Sequence, residues 1–192
     1  MTTPTMTLID AITTRRSVRG FRPDPVSDDV LQAIFELART APSNCNTQPW
    51  TCYVASGACK DRLRDQFLQR QEDRIAGTPD FSYVSQFEGE YRKRQVECAV
   101  ALYNEMGIAR DDKPGRLRAV RRNFEFFDAP HILFLGMDRK FGSTIALDVG
   151  IYAQTLMLAM TAYGVGSCAM GSMRAYPDLV REAFQLNEET GI

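Results

Sequence analysis

The stretch from Ser143 to Gly164, STIALDVGIYAQTLMLAMTAYG, is apolar on nearly every face when wound as an α-helix, and it limits the possible folds more than any other segment. A helix of this kind must sit either in lipid or under protein on all sides. Asp148, Gly150 and Gln154 in its interior argue against lipid, so no membrane partner is expected. The chain has 192 residues, 44% of them hydrophobic, which suffices for one domain with a sizeable core. Such a domain is hard pressed to wrap one helix completely. Part of the helix is therefore expected to meet a second subunit, in the simplest version a homodimer.

The remaining elements are mostly helical. Ser27 has the chemistry of an N-cap, with Asp28 and Asp29 in the first turn and Val30, Leu31, Ile34, Leu37 and Ala38 forming an apolar stripe that should end by Pro42. WTCYVAS (Trp50 to Ser56) and HILFLGM (His131 to Met137) have the β-branched and aromatic content of strands. Helical spacing runs over 60–76 and 86–106, with Gly77, Thr78 and Pro79 as a break between them. Further helices are expected over 116–127 and in YPDLVREAF, where Pro177 suits a first turn. Helices outnumber strands without a regular βαβ alternation, which predicts an α+β fold in a single domain over 1–192.

Charge and cysteine content narrow the function classes. Lys and Arg number 23 against 24 Asp and Glu, so no global field draws the chain to nucleic acid or to an anionic surface. The five cysteines have irregular spacing, no CxxC pair and no leader ahead of them, the pattern of reduced thiols in a cytoplasm. Against this neutral background RRSVRGF, residues 15 to 21, is conspicuous. Arg15, Arg16 and Arg19 follow a short apolar helix (LIDAI) and precede the turn-like RPDP. They are either solvated surface arginines or, with the Ser17 hydroxyl, an anion site suited to phosphate.

Two other stretches carry chemistry. APSNCNTQPW (Ala41 to Trp50) sets Ser43, Asn44, Asn46, Thr47 and Gln48 between prolines; it reads as a well-capped turn, or as a rigid row of neutral donors and acceptors fit for the edge of a heterocycle. GVGSCAMGS (Gly164 to Ser172) fits the dinucleotide fingerprint by letter at Gly164, Gly166 and Ala169. That fingerprint needs a strand before it, whereas here a helix precedes, so a Rossmann site is rejected. What remains is a small-residue strand and turn able to lie against a flat ligand. His131, the sole histidine, reads as a buried or strand-edge residue, Cys45 as structural, and Phe124, Phe126 and Phe127 as core or interface.

In this order and at these chain positions, RRSVRGF, PSNCNTQPW and LDVGIYAQTLMLA running into GVGSCAMG resemble the FMN-dependent nitroreductase family over essentially the whole chain. The resemblance implies a mixed sheet flanked by helices, with the long apolar helix at the contact of a homodimer that binds two FMN molecules at its interface. It assigns Arg15, Ser17 and Arg19 to the FMN phosphate and ribityl end, with Arg16 assisting. It places Pro42, Ser43, Asn44 and Asn46 beside the isoalloxazine, with Gln48 as an addition, and brings the backbone of Ala169, Met170 and Gly171 near N5.

The implied activity is hydride transfer from NADPH or NADH through the flavin to a nitroaromatic, a quinone or a similar acceptor, by a ping-pong route in which the protein supplies position and positive charge. No side chain is named as catalytic acid or base, and no metal is expected. Relatives use the scaffold for dehalogenation, flavin breakdown or reduction of unsaturated bonds as well, and a flavin carrier or sensor without turnover stays open at this point. Family members usually continue past the helix represented by YPDLVREAFQL into a further strand and an arm over the partner. This chain stops at Ile192: either the sequence is shortened there or the protein lacks those elements.

Overall fold

β2 (His131–Asp138) is the centre of the architecture, because both of its faces are covered. Ile132 and Phe134 point into one cluster with Leu63, Phe67, Phe124, Phe126, Met173, Tyr176, Leu179 and Val180, while Leu133 and Leu135 pack on the opposite side against a second cluster around Ile34, Ala38, Tyr152, Leu156 and Ala159. A strand buried on both faces needs a nearly continuous apolar sequence, and HILFLGM supplies one. The computed structural model describes Pro4, residues 6–84 and residues 86–192.

β2 pairs antiparallel with β1 (Thr51–Ser56), from Thr51 opposite Gly136 to Ser56 opposite His131. On its other edge it pairs antiparallel with the two-residue β3 (Thr190–Gly191), a strand that the sequence reading had not marked. The sheet is thus antiparallel in the order β1-β2-β3, where the resemblance implied a mixed one; the parallel pairing among the described residues is a separate bridge between Ser17 and Ser167.

Helices cover the sheet in two layers. On one side lie α2 (Asp28–Ala38) and α6 (Ser143–Ala162), with α1 (Leu8–Thr14) packed on α6. On the other lie α3 (Gly57–Glu72), α5 (Lys113–Phe124) and α7 (Pro177–Phe184). α4 (Gly89–Glu105) follows the break at 77–79 and has no buried residue. This α+β arrangement agrees with the expected class, with element ends shifted by a few residues.

One shift with a clear physical cause is at α5, where the pattern predicted 116–127. The helix starts earlier because the Asp112 carboxylate accepts the Gly115 N–H at 2.8 Å and Pro114 fits the first turn. It ends at Phe124 because Phe126, Phe127 and Asp128 adopt left-handed backbone (φ 53°, 52° and 65°), which turns both rings into the interior. Such conformations cost about 1–2 kcal/mol per residue. The burial of two phenylalanines, each stabilising by roughly 1.5–3 kcal/mol, is of the same size as that summed cost and offsets it.

α6 ends in a Schellman turn that aims the following segment. Gly164, at φ +72°, donates its N–H to Thr161 O at 2.9 Å, and the Val165 N–H reaches Met160 O at 2.8 Å. A side chain with a Cβ would be strained at that φ. The chain leaves the helix along Val165 to Ser167 and meets the amino-terminal segment there.

Candidate functional site

The first part of the site is the junction between the arginine run and the segment after α6. Ser17 and Ser167 form the parallel bridge, and the Val18 N–H donates to Ser167 O at 3.0 Å. Close approach is possible because residue 166 is glycine: a Cβ there would lie 3.2 Å from Val18 Cγ2. Arg15 to Arg19 are thereby held beside Cys168 and Ala169. Burial pushes the Cys168 thiol up from its ordinary value, and the positive charges of Arg19 and Arg15 pull it the other way.

These guanidiniums are not neutralised within the chain. Among the described residues no carboxylate pairs with Arg15, Arg16 or Arg19. Arg16 donates to Thr13 O (2.7 Å) and Arg15 O (2.9 Å), and Arg19 makes a long contact to Ser17 O (3.4 Å). Arg16, Ser17 and Arg19 are exposed and Arg15 is half-buried. Beneath them the Ser167 Oγ is buried without a hydrogen-bond partner. Three arginines without a carboxylate partner, on the segment bridged to a residue whose hydroxyl is unsatisfied, are a donor set whose chemistry suits an oxyanion such as a phosphate dianion.

The second part is the 42–48 loop. Cys45, Asn46 and Gln48 all have left-handed backbone (φ 50°, 54° and 46°), an arrangement that costs about 1–3 kcal/mol per residue and persists only where surrounding bonds impose it. Those bonds are present. The Ser43 Oγ accepts the Gln48 N–H at 2.9 Å, the Ser43 carbonyl accepts the Asn46 N–H at 3.0 Å, and the Gln48 side-chain amide donates to Asn46 Oδ1 at 3.1 Å. From below, the buried Asp148 carboxylate of α6 accepts the Asn44 N–H at 3.0 Å. Pro42, Asn44, Asn46 and Gln48 are exposed on this rigid loop and Ser43 is half-buried.

Asp148 is therefore a structural support of this loop that the sequence reading missed. It was weighed only as an argument against lipid, although a lone carboxylate within an apolar helix already signals a specific buried partner. Four residues on along α6, Tyr152 stacks on Trp50 (4.8 Å between ring centroids) and accepts from the Cys52 thiol at 3.2 Å, which fixes the far end of the loop. Burial pushes both the Tyr152 hydroxyl and the Cys52 thiol well up, so neither ionises near neutral pH.

The third part, Ala169 to Gly171, follows the Ser17–Ser167 bridge directly. Ala169 and Gly171 are exposed, while Met170 packs on the cluster beneath the sheet. The arginine run and this segment are thus adjacent, as expected. The 42–48 loop is anchored to α6, and no hydrogen bond or ion pair among the described residues joins it to the other two parts. Two surface pockets, of about 260 and 320 Å³, lie elsewhere: one at Cys59, Arg62, Leu63 and Glu182, the other at Asp138 to Lys140 and Glu188. His131 is structural, its Nε2 accepting the Val26 N–H at 2.9 Å.

The chain is similar to several known proteins over most of its length. The Nitroreductase NfnB of Mycolicibacterium smegmatis is 43% identical over 186 residues, spanning 94% of this chain and 79% of that protein. A crystal structure of the FMN-dependent nitroreductase NfnB from Mycobacterium smegmatis, in complex with NADPH, superposes with a TM-score of 0.89 at 41% identity, covering 94% of this chain and 81% of the other. The FMN and NADPH-dependent nitroreductase NfnB from sphigopyxis sp. strain HMH superposes with a TM-score of 0.93 at 32% identity, covering 97% and 84%. A 4-nitrobenzoate reductase of Pseudomonas putida is 32% identical over 181 residues, 94% of this chain and 79% of that protein. Residues 12–191, which include all three parts of the site, match the description Nitroreductase family, and the chain belongs to that family.

Proposed function

We propose that this protein is an FMN-dependent NAD(P)H oxidoreductase that reduces nitroaromatic or quinone-type acceptors, acting as a single-domain subunit of a cytoplasmic homodimer. The observation that carries the reading is the uncompensated Arg15, Arg16 and Arg19 set, bridged by Ser17–Ser167 to the Ala169–Gly171 backbone, in a chain this similar to NADPH-dependent FMN nitroreductases. NADPH is the nicotinamide bound in one of those relatives and the one on which the other depends.

Arg15, Arg16, Ser17 and Arg19 would hold the FMN phosphate, which offsets three like charges at once. Pro42, Ser43, Asn44, Asn46 and Gln48 would meet the edge of the ring system, where a loop held rigid before binding loses little conformational freedom on contact. The backbone of Ala169, Met170 and Gly171 would lie at the reacting edge. Bound FMN supplies a two-electron carrier that accepts hydride from a reduced nicotinamide and passes it to an acceptor. The chain's own contribution is to bind, orient and present positive charge and N–H donors; no side chain here is assigned as acid or base, and water supplies the protons. The direct test is to purify the protein, release its chromophore by denaturation, and follow NADPH oxidation with a nitroaromatic or quinone. A yellow protein that releases FMN and turns over is expected, whereas a flavin carrier would release FMN yet leave NADPH untouched.

The homodimer reading rests on uncovered apolar surface. α6 is the one helix among the described residues long and apolar enough to cross a membrane (mean hydropathy 1.4), yet only Asp148, Tyr152, Leu156 and Ala159 of its twenty residues are buried. Leu147 on α6 is 65% exposed, and Leu8, Ile9 and Ile12 on the adjoining α1 are likewise exposed. A patch of this kind on a soluble chain marks an interface. Leu147→Glu leaves the monomer's core intact and should convert a dimer to monomer in sedimentation while lowering FMN content; a charged variant that stays dimeric would remove this face from the interface.

A further inference from the structure

A cation with no role in the site as drawn lies beside Gly171. A Cβ placed on Gly171 would sit 2.5 Å from Arg174 Nη1 and 3.6 Å from its Cζ, so the Nη1 end of the guanidinium lies against the glycine, and the Cζ stands over the Tyr83 ring, 3.8 Å from its centroid. Arg174 makes no hydrogen bond or ion pair with a protein acceptor among the described residues, and it is exposed. A guanidinium stacked on an aromatic face keeps its in-plane N–H groups free, the arrangement that grips a carboxylate with two parallel bonds.

The backbone near both side chains is anchored. Arg174 lies in a 3-10 turn (Ser172–Ala175) whose Met173 is buried. Tyr83 ends a segment tied to the same region: the Thr78 N–H donates to Ala175 O at 2.8 Å, the Tyr176 hydroxyl donates to Ile75 O at 2.9 Å, and Asp80 pairs with the largely buried Arg181 at 2.7 Å. Preorganisation of this kind lowers the ordering cost when a ligand arrives. The close fit over residue 171 also needs glycine, since any side chain there would displace the guanidinium.

We infer that Arg174, held by Tyr83 over Gly171, is a specificity-determining residue that binds the ring carboxylate of an acidic aromatic acceptor. The inference rests on the proposed function, which puts the Gly171 backbone at the reacting edge of the flavin. A cation beside that edge is within reach of a substituent on the acceptor ring itself. The phosphates of a nicotinamide dinucleotide hang from its riboses, well away from the reacting ring, and are badly placed for it.

The test uses the FMN-loaded wild type, Arg174→Gln and Arg174→Lys, with 4-nitrobenzoate and nitrobenzene as an acidic and a neutral probe of the same ring. Loss of the charge should lower the ratio of kcat/KM for 4-nitrobenzoate over nitrobenzene by about 10- to 100-fold, chiefly through KM, as removal of one charge-assisted bidentate contact predicts. Calorimetric binding of 4-nitrobenzoate to the oxidised protein should weaken by a similar factor, and Arg174→Lys should recover part of both. An unchanged ratio in Arg174→Gln overturns the inference, as does a wild type that binds the acid no more tightly than nitrobenzene. A rise in KM for NADPH with the acceptor ratio intact also overturns it, by assigning the cation to the donor. A wild type that takes up no FMN overturns the enzyme reading and this inference together; a flavin-loaded wild type with an unresponsive variant overturns this inference alone.

Discussion

The double variant Arg15→Ala/Arg19→Ala should bind FMN about two to three orders of magnitude more weakly than the wild type, as read by equilibrium titration of the apoprotein. A charge-assisted hydrogen bond contributes roughly 1.5–3 kcal/mol, and each 1.4 kcal/mol is tenfold in affinity. Arg19→Ala alone is expected to cost one to two orders. The two effects should fall short of additive, because both side chains address the same phosphate. Neither residue is paired with a carboxylate among the described residues, so their removal strands no buried charge and the fold should keep its Tm. Loss of flavin without loss of Tm is the signature sought. Unaltered affinity in the double variant would move the phosphate elsewhere on the protein.

Phe67→Ala should destabilise the protein by about 3–5 kcal/mol, the range for truncating a fully buried aromatic ring. Phe67 is 0% exposed and its ring meets Phe126 edge-on at 6.0 Å, Phe134 at 6.2 Å and Tyr176 at 6.2 Å. It joins α3, β2, the left-handed turn after α5 and the residue that opens α7. For a chain of this size the expected fall in Tm is on the order of 10 °C. Tyr176 follows the 3-10 turn that carries Arg174, so the same variant should loosen that segment and speed hydrogen exchange there. A Tm within a degree or two of wild type would mean that the core collapses onto the gap.

Much of the fold was legible because it is encoded locally. Ser27 stands at the N-cap position of α2, although its side chain makes no capping bond, with Asp28 and Asp29 in the first turn; Pro177 opens α7, and the apolar β-branched runs mark β1 and β2 to within a residue. The end of α5 was not legible. Phe126 and Phe127 continue a helical pattern, but packing against Phe67 and Arg122 draws them into left-handed backbone that no local propensity favours. β3 escaped notice as well, since two residues carry no periodicity and their pairing with Met137 and Asp138 is purely tertiary.

The candidate site divides in the same way. Arg15, Arg16, Ser17 and Arg19, the amide loop and the Ala169–Gly171 turn could be picked out by residue type alone, because fixed charge, neutral amides and small residues advertise their chemistry without reference to the rest of the chain. The supports behind them could not. That Ser167 accepts the Val18 N–H, that Asp148 holds the Asn44 N–H across 104 positions, and that Tyr83 clamps Arg174 are outcomes of long-range packing. Sequence by itself determined which segments are helix, strand or polar loop and which carry the charge, since those properties are settled within a few neighbouring residues. Tertiary structure alone decided which of them touch and which cations go unpaired, because a contact between distant segments depends on the whole packed core that brings their backbones together.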